Sequence, residues 1–255
     1  MEFNSGVVPT LEQRIDFVEK AELALRGKPA RFRSLSSAGA VRAAEKEGQD
    51  AILINNTLLS CMEGLSRAEK KEIKNSVRFA ELLSDEFKNE STDLAGWLQL
   101  YSRTLNHVGW YTDRNPGERV YREFSSDASQ KIMTTVKELG GDLMSGHCQA
   151  AFSALRGNSS SLAYYAKASQ HGSLFQIMPS GRDEKGKLTL VLNHARLSAQ
   201  RRIDGFLFFK WETETAVLRH NYLSFYLDRD AYAQTREKVE ALIESSDMEE
   251  IELRL

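Results

Sequence analysis

Apolar residues recur at intervals of three and four through the first half of the chain, the spacing of amphipathic helices. The clearest stripe includes Ile73 and Val77 and follows a capping box at residues 66–69. Thr10 begins another capping box ahead of a second apolar stripe. The same spacing predicts further helices over residues 92–107 and 125–157, the latter as one helix with a Gly-Gly interruption or as two shorter helices.

Residues 49–62, "QDAILINNTLLSCM", fit two different structures. Their apolar content suits a buried helix, whereas Ile52-Leu53-Ile54 suits a strand equally well, and periodicity alone does not separate the two. The sequence leaves both interpretations open.

After about residue 158 the pattern becomes strand-like. Segments rich in β-branched and aromatic residues follow one another at short intervals, over residues 160–169, 173–180, 187–197, 202–213 and 215–228. Short links predict antiparallel neighbours, because parallel strands need a long crossover. Asp228 is then predicted to cap a helix, and the alternating residues 248–255 are predicted to return to the sheet.

Helices followed by strands predict an α+β fold. We expect an antiparallel sheet of about five or six strands from residues 158–255, packed against helices from residues 8–157 and covered by a late helix. No linker rich in Pro, Gly or Ser separates the two parts, so residues 8–255 are predicted to form one compact domain. Residues 1–7 are expected to be disordered or derived from cloning.

The run "FLFF", Phe206–Phe209, lacks the alternation of a strand with one wet face. Continuous apolar runs are typical of strands buried on both faces, so we predict a central strand here. Two alternatives stay open, a wall of a ligand pocket and a segment that touches a membrane. If the segment lines a pocket, Phe209 and Trp211 are the candidate ligand-binding residues.

Composition and charge exclude several classes of protein. The chain has 255 residues, of which 41% are hydrophobic and 27% charged, as is usual for a soluble globular protein. Its 34 basic and 36 acidic residues nearly cancel, so we expect no nucleic-acid partner. No apolar run approaches the roughly 20 residues of a membrane span. The first residues do not resemble a signal peptide, which predicts a cytoplasmic protein by default and leaves specialised export open.

The segment Gly181–Leu188 nearly matches a phosphate-binding loop, but Leu188 stands where the motif needs Ser or Thr. A predicted strand also follows it, whereas the motif needs a helix N-terminus to receive phosphate. We therefore interpret this segment as a charged hairpin turn.

Cys148 beside His147 is a weak candidate for catalysis. Neighbours on a helix point about 100° apart, so His147 would affect the thiol only electrostatically and a base would have to come from elsewhere. A buried structural cysteine explains the same residues. The histidines 171, 194 and 220 lack the spacing of a metal motif, so we predict no metal site.

Residues 106–121 form the one long irregular stretch between the predicted helices. Loops carry function more often than cores do, which makes Trp110, Tyr111 and Arg114 candidates for a contact surface. Equally, the tryptophan would serve to fix the connection onto the core.

These features together favour a non-enzymatic binding protein that engages a protein partner or an apolar small molecule, such as an acyl chain, through an aromatic-rich sheet. One alternative is a membrane-active, toxin-like effector. Another is a cysteine-dependent enzyme or an acylated protein centred on Cys148. We expect no cofactor, and the oligomeric state is left open.

Overall fold

The structure is a computed structural model, and it describes residues 8–26, 50–112, 116–122, 128–170, 173–198, 217–246, 248 and 250–255. These residues form seven helices and eight strands. The α+β class predicted from the sequence is confirmed. The predicted central strand, with Phe206–Phe209 and Trp211, lies outside the described residues, as does Arg114.

The described residues group into two compact units. The first unit draws on residues 8–26, 67–112, 225–246 and 248, and the second on residues 50–66, 116–122, 128–170, 173–198, 217–224 and 250–255. Each unit is therefore assembled from segments far apart in the chain. The expectation that residues 8–255 form one compact domain stays a prediction.

The helices of the first unit are α1 (Leu11–Leu25), α2 (Arg67–Phe87), α3 (Leu94–His107), α6 (Arg229–Ala233) and α7 (Arg236–Glu244). The capping box predicted at Thr10 is confirmed, since the Gln13 amide donates to Thr10 Oγ1 at 3.3 Å and Gln13 Oε1 accepts from the Thr10 amide at 2.9 Å. Asp228 caps α6 as predicted, by accepting from the Ala231 amide at 3.0 Å. The predicted late helix is in fact two short ones, because the chain breaks its helical run at Gln234 and Thr235.

Large side chains fill the core of the first unit. Trp97 and Tyr101 stack with their ring centroids 4.9 Å apart, and both are fully buried. The short strand β3 (Trp110–Tyr111) pairs antiparallel with the last residues of β7 (Val217–Leu227). The stretch of residues 106–121, which is predicted to be irregular, therefore contains strand β3. A second strand, β4 (Gly117–Arg122), begins within the same stretch.

The sheet is mixed rather than antiparallel throughout. Its strand order is β3-β7-β6-β5-β2-β1-β8, with β4 also beside β7. The strands not yet located are β1 (Asp50–Ile54), β2 (Thr57–Cys61), β5 (Leu174–Arg182), β6 (Leu188–Ser198) and β8 (Glu250–Arg254). The pair β2 and β5 is parallel, because the long intervening chain provides the crossover that a parallel pair needs.

The structure decides one segment that the sequence left open and corrects another. Within residues 49–62, Asp50–Cys61 form the hairpin β1–β2, which turns at Asn55 with a left-handed φ of 47°, a conformation that Asn tolerates. The prediction of a strand over residues 160–169 is wrong, because helix α5 (Ser159–Ala168) occupies nearly all of that segment. Asn158 caps that helix, and its buried residues Ser161 and Tyr165 are spaced one turn apart. The two adjacent tyrosines had favoured a strand.

Helices α4 (Ala128–Gly157) and α5 pack on the sheet in the second unit. The core between them contains Ile132, Val136, Met144, Cys148, Phe152, Leu155 and Tyr165 from the helices and Leu53, Leu58, Phe175, Ile177, Val191 and Leu253 from the strands. The predicted Gly-Gly interruption is a kink, because Gly141 has φ 78° and ψ −178°. The hairpin turn predicted for Gly181–Leu188 is also confirmed, with the Lys187 amide donating to Asp183 Oδ1 at 2.8 Å.

Candidate functional site

Strands β4, β6 and β7 and helix α4 bring together a group of polar and aromatic side chains in the second unit. We name this group the Arg119 cluster. It comprises Arg119, Thr135, Glu138, Asn193, His220 and Tyr222. The group grades from exposed to buried, since the Arg119 and Glu138 side chains are 31% and 49% exposed whereas Asn193 and His220 are fully buried.

Arg119 is the centre of the cluster. Antiparallel pairing of β4 with β7 places Arg119 directly opposite His220. The guanidinium donates to Thr135 Oγ1 at 3.2 Å and to Glu138 Oε2 at 2.5 Å. This charge-assisted bond to Glu138 raises the pKa of Arg119 above its ordinary value, so the group stays a cation.

An aromatic ring covers the same guanidinium. Arg119 Cζ lies 5.2 Å from the centroid of the Tyr222 ring, within cation–π range. Tyr222 occupies the space opposite Gly117, where an added Cβ would lie only 2.2 Å from the ring. Glycine at position 117 therefore allows the tyrosine to lie flat against β4.

His220 forms the buried end of the cluster. Its Nε2 lies 3.1 Å from Asn193 Oδ1, and the Asn193 amide donates to the carbonyls of Ile177 and Val191. Because the amide orientation is fixed by those carbonyls, Nε2 carries the hydrogen of the neutral ring. Burial, with smaller contributions from the Arg119 and His194 charges, lowers the pKa of His220 to about 3. His220 is therefore neutral at physiological pH.

A second tyrosine lies on the same face of β4. Lys131 Nζ is 5.3 Å from the centroid of the Tyr121 ring, and Tyr121 is partly exposed while also packing against the core of the second unit. Tyr222 pairs with Gly117, which precedes Tyr121 by four residues on β4. The two tyrosines are therefore about 13 Å apart along the strand direction. We name Arg119, Tyr121, Lys131, Glu138 and Tyr222 the tyrosine face; in this set two tyrosines each lie against a cation.

The structure does not provide the surroundings that catalysis at Cys148 would need. The side chain is fully buried in the core under α4, and burial raises the pKa of its thiol to about 12. A nucleophilic cysteine instead requires a lowered pKa and an adjacent base. His147 lies next to it on the helix, partly exposed, and burial lowers its pKa. The residues described include no group of three or more His, Cys, Asp or Glu side chains arranged to hold a metal ion.

Two of the predicted contact residues lie in the core of the first unit. Trp110 is fully buried and Tyr111 is 5% exposed. This burial agrees with the second interpretation of the sequence, in which the tryptophan fixes the connection onto the core. Tyr111 accepts a hydrogen bond from Arg14, and its ring packs edge-on to Tyr226 at 6.0 Å. A partner-binding role for Arg114, Phe209 or Trp211 stays a prediction.

Comparison with known proteins gives a remote likeness to solved structures only. No protein-family model matches the sequence, and no curated protein is significantly similar to it. A solved structure described as "Structure of the Evf virulence factor" is similar with a TM-score of 0.39 and 10% sequence identity, over 77% of this chain and 84% of that chain. A TM-score this low does not establish a common fold. The function proposed below rests on side-chain geometry alone.

Sequence reasoning missed the Arg119 cluster because its members come from segments far apart in the chain. Only the strand register brings Arg119 beside His220. One local signal was present. The segment Gly117–Arg122, "GERVYR", alternates in burial, with its even-numbered positions exposed. That alternation is typical of a strand with one wet face, and it places Arg119 and Tyr121 on the opposite, less exposed face.

Proposed function

We propose that this chain is a non-enzymatic binding protein that engages a protein partner through the tyrosine face of its sheet. The observation that supports the proposal is the pair of partly exposed tyrosines on β4 and β7, each held against a cation. Tyr and Arg dominate the binding energy of protein interfaces, since they offer a large apolar area and directed hydrogen bonds.

The tyrosine face is also organised before any partner arrives. Arg119 is fixed by Thr135 and Glu138, and Tyr222 is fixed by the fit against Gly117. Side chains already held in place lose little conformational entropy on binding, which favours affinity.

A catalytic role has less support. His220 Nδ1 is a buried polar atom of the Arg119 cluster that has no hydrogen-bond partner within the described residues. Asn193, Arg119 and Tyr222 lie beside His220 in the described part of the chain, and none of these three is a Ser or Cys nucleophile. The geometry therefore favours binding over acid–base chemistry.

The apolar small-molecule alternative depends on residues 203–212 and stays a prediction. The membrane-active alternative also stays a prediction. No helix within the described ranges is both long and apolar enough to cross a bilayer.

A site-specific photocrosslink tests the proposal. Thr134 is exposed at the solvent edge of the α4 face that carries Lys131 and Glu138, so a photoreactive benzoylphenylalanine at position 134 reaches a partner bound there. Gln149 is equally exposed on the same helix beyond the kink at Gly141 and provides the control. In cells that produce the protein naturally, we expect a discrete crosslinked protein from position 134 and none from position 149. No adduct at position 134, or the same adduct at both positions, would contradict the proposal.

A further inference from the structure

Arg14 on α1 is a buried cation with unusual partners. The residue is only 6% exposed. Its guanidinium donates to Gln234 Oε1 at 2.8 Å and to the Tyr111 hydroxyl, both of which are neutral acceptors. Arginine has five N–H donors, so these two hydrogen bonds leave most of the donors of the guanidinium unused. Its Nε in particular is buried and has no hydrogen-bond partner within the described residues.

Other arginines that are partly buried in this structure pair with carboxylates. Arg229 and Arg236 both bind Glu72, and Arg119 binds Glu138. Within the described part of the chain, Arg14 has no carboxylate at ion-pair distance. Buried charges are normally paired, because removing an ion from water is costly.

Asp228 is an acidic residue that acts on Tyr111, and its side chain already accepts a hydrogen bond. Asp228 contributes to the raised pKa of Tyr111, for which burial is the main cause. Its Oδ1, however, accepts from the Ala231 amide at 3.0 Å, as the cap of α6. Within the described residues, no hydrogen bond or ion pair joins Asp228 to Arg14.

Two more basic side chains lie beside Arg14, on α3. His107 stacks on Phe17 with ring centroids 4.2 Å apart, and Arg103 Cζ lies 5.7 Å from the centroid of the same ring. Phe17 follows Arg14 by one helical turn. Burial lowers the pKa of His107, and the positive charges of Arg103 and Arg14 lower it further, although a bond to the Arg103 carbonyl opposes them. The charges of Arg14 and Arg103 therefore both act on the His107 ring.

Tyr111 adds a donor to this environment. Its hydroxyl oxygen accepts from Arg14, so its own hydrogen remains available to a further acceptor. Arg14 Cζ also lies 5.7 Å from the Tyr111 ring centroid. Unused N–H donors, a hydroxyl donor and excess positive charge are together complementary to an oxyanion.

We propose that Arg14, Tyr111, Arg103 and His107 form a binding site for an oxyanion, the phosphate or carboxylate group of a small ligand. Arg14 and Tyr111 donate hydrogen bonds to it, and Arg103 adds positive charge at the exposed side. The His107 ring lies near enough to these groups to respond to the bound anion. This site lies wholly in the first unit and is independent of the tyrosine face.

The test is a titration of the full chain with inorganic phosphate and, separately, with succinate, at constant ionic strength maintained with chloride. The arginine Nε–H signals are followed by ¹H–¹⁵N NMR, and the Arg14 signal is assigned by its loss in Arg14→Gln. We expect that signal to shift and saturate with phosphate or with succinate, and the anion that binds more tightly identifies the ligand class. Shifts that do not saturate with either anion, or that chloride reproduces, would overturn the proposal.

Variants separate this site from general surface charge. Tyr111→Phe keeps the ring and removes the hydroxyl donor, so its affinity for the anion is expected to fall about tenfold, as for loss of a charge-assisted hydrogen bond. Arg103→Gln alters an exposed side chain and is also expected to weaken binding. Lys20→Gln is the matched control, because Lys20 is an exposed cation on α1 that pairs with Asp16. Equal affinities for Arg103→Gln and Lys20→Gln would contradict the proposed site.

A bound anion also has a second signature. Opposite charge stabilises the imidazolium, so saturating phosphate or succinate should raise the pKa of His107 toward its ordinary value. The pH titration of the His107 ring protons measures this shift. A His107 pKa unchanged at saturation would place the anion elsewhere.

Discussion

Protonation of His220 is expected to make the protein markedly less stable in mild acid. In the folded state burial lowers the pKa of His220 from 6.5 to about 3, with smaller contributions from Arg119 and His194. In the unfolded chain the His220 ring therefore binds a proton near pH 6.5. In the folded chain the same ring binds a proton only near pH 3. Stability is fully present above pH 6.5 and falls as the pH decreases through this window.

The size of the effect follows from the two pKa values. Between pH 7.5 and pH 5 this one histidine should remove about 2 kcal/mol from the free energy of unfolding, rising toward about 5 kcal/mol near pH 3. His107 and His147 also have lowered pKa values and add to the loss. A variant is therefore needed to isolate the contribution of His220.

His220→Gln supplies that comparison, because glutamine still donates to Asn193 and does not titrate. Urea unfolding of both proteins at pH 7.5 and pH 5 gives the four free energies required. We expect the wild type to lose about 2 kcal/mol more than the variant over this interval. If the two proteins lose the same free energy, His220 is not held neutral by the fold and the assigned burial of the cluster is wrong.

Three further predictions concern other parts of the molecule. Glu72→Ala removes the carboxylate that arginines of α6 and α7 share, and should lower the free energy of unfolding by about 1–2 kcal/mol in urea titrations, a modest loss because both arginines are partly exposed. Gly117→Val places a Cβ where the Tyr222 ring lies, so crystallography should show a displaced ring and denaturation a loss of about 1–3 kcal/mol; an unmoved ring would refute the packing. Cys148 should resist iodoacetamide in the native protein at pH 8, since its buried thiol has a pKa near 12, and fast native labelling would contradict that burial.

The elements that the sequence predicted correctly are those specified by local chemistry. The capping box at Thr10, the cap at Asp228 and the turn around Asp183 each depend on side chains that bond to backbone within a few residues. Helix α2 has a long apolar stripe and needs no tertiary information to be recognised. These features are confirmed because their causes lie within a short window of the chain.

The predictions that were left open or were wrong have different causes. The hairpin β1–β2 is placed in the sheet by its parallel partner β5, more than a hundred residues away, and no local pattern reports that partner. Helix α5 was mistaken for a strand because Tyr164-Tyr165 resembles a β segment, although its cap at Asn158 was readable. The Arg119 cluster depends on the register of β4 with β7, which a single sequence does not reveal.

Binding through the tyrosine face is tested most directly by charge reversal on α4. Lys131 lies against Tyr121 in that face, whereas Lys137 is exposed on the same helix and pairs with Asp142. The measurement is the dissociation constant for the protein crosslinked from position 134, determined by calorimetry with Lys131→Glu and with Lys137→Glu. We predict that Lys131→Glu weakens binding by about tenfold or more and that Lys137→Glu leaves it unchanged. Equal affinities for the two variants would contradict a partner site on the tyrosine face.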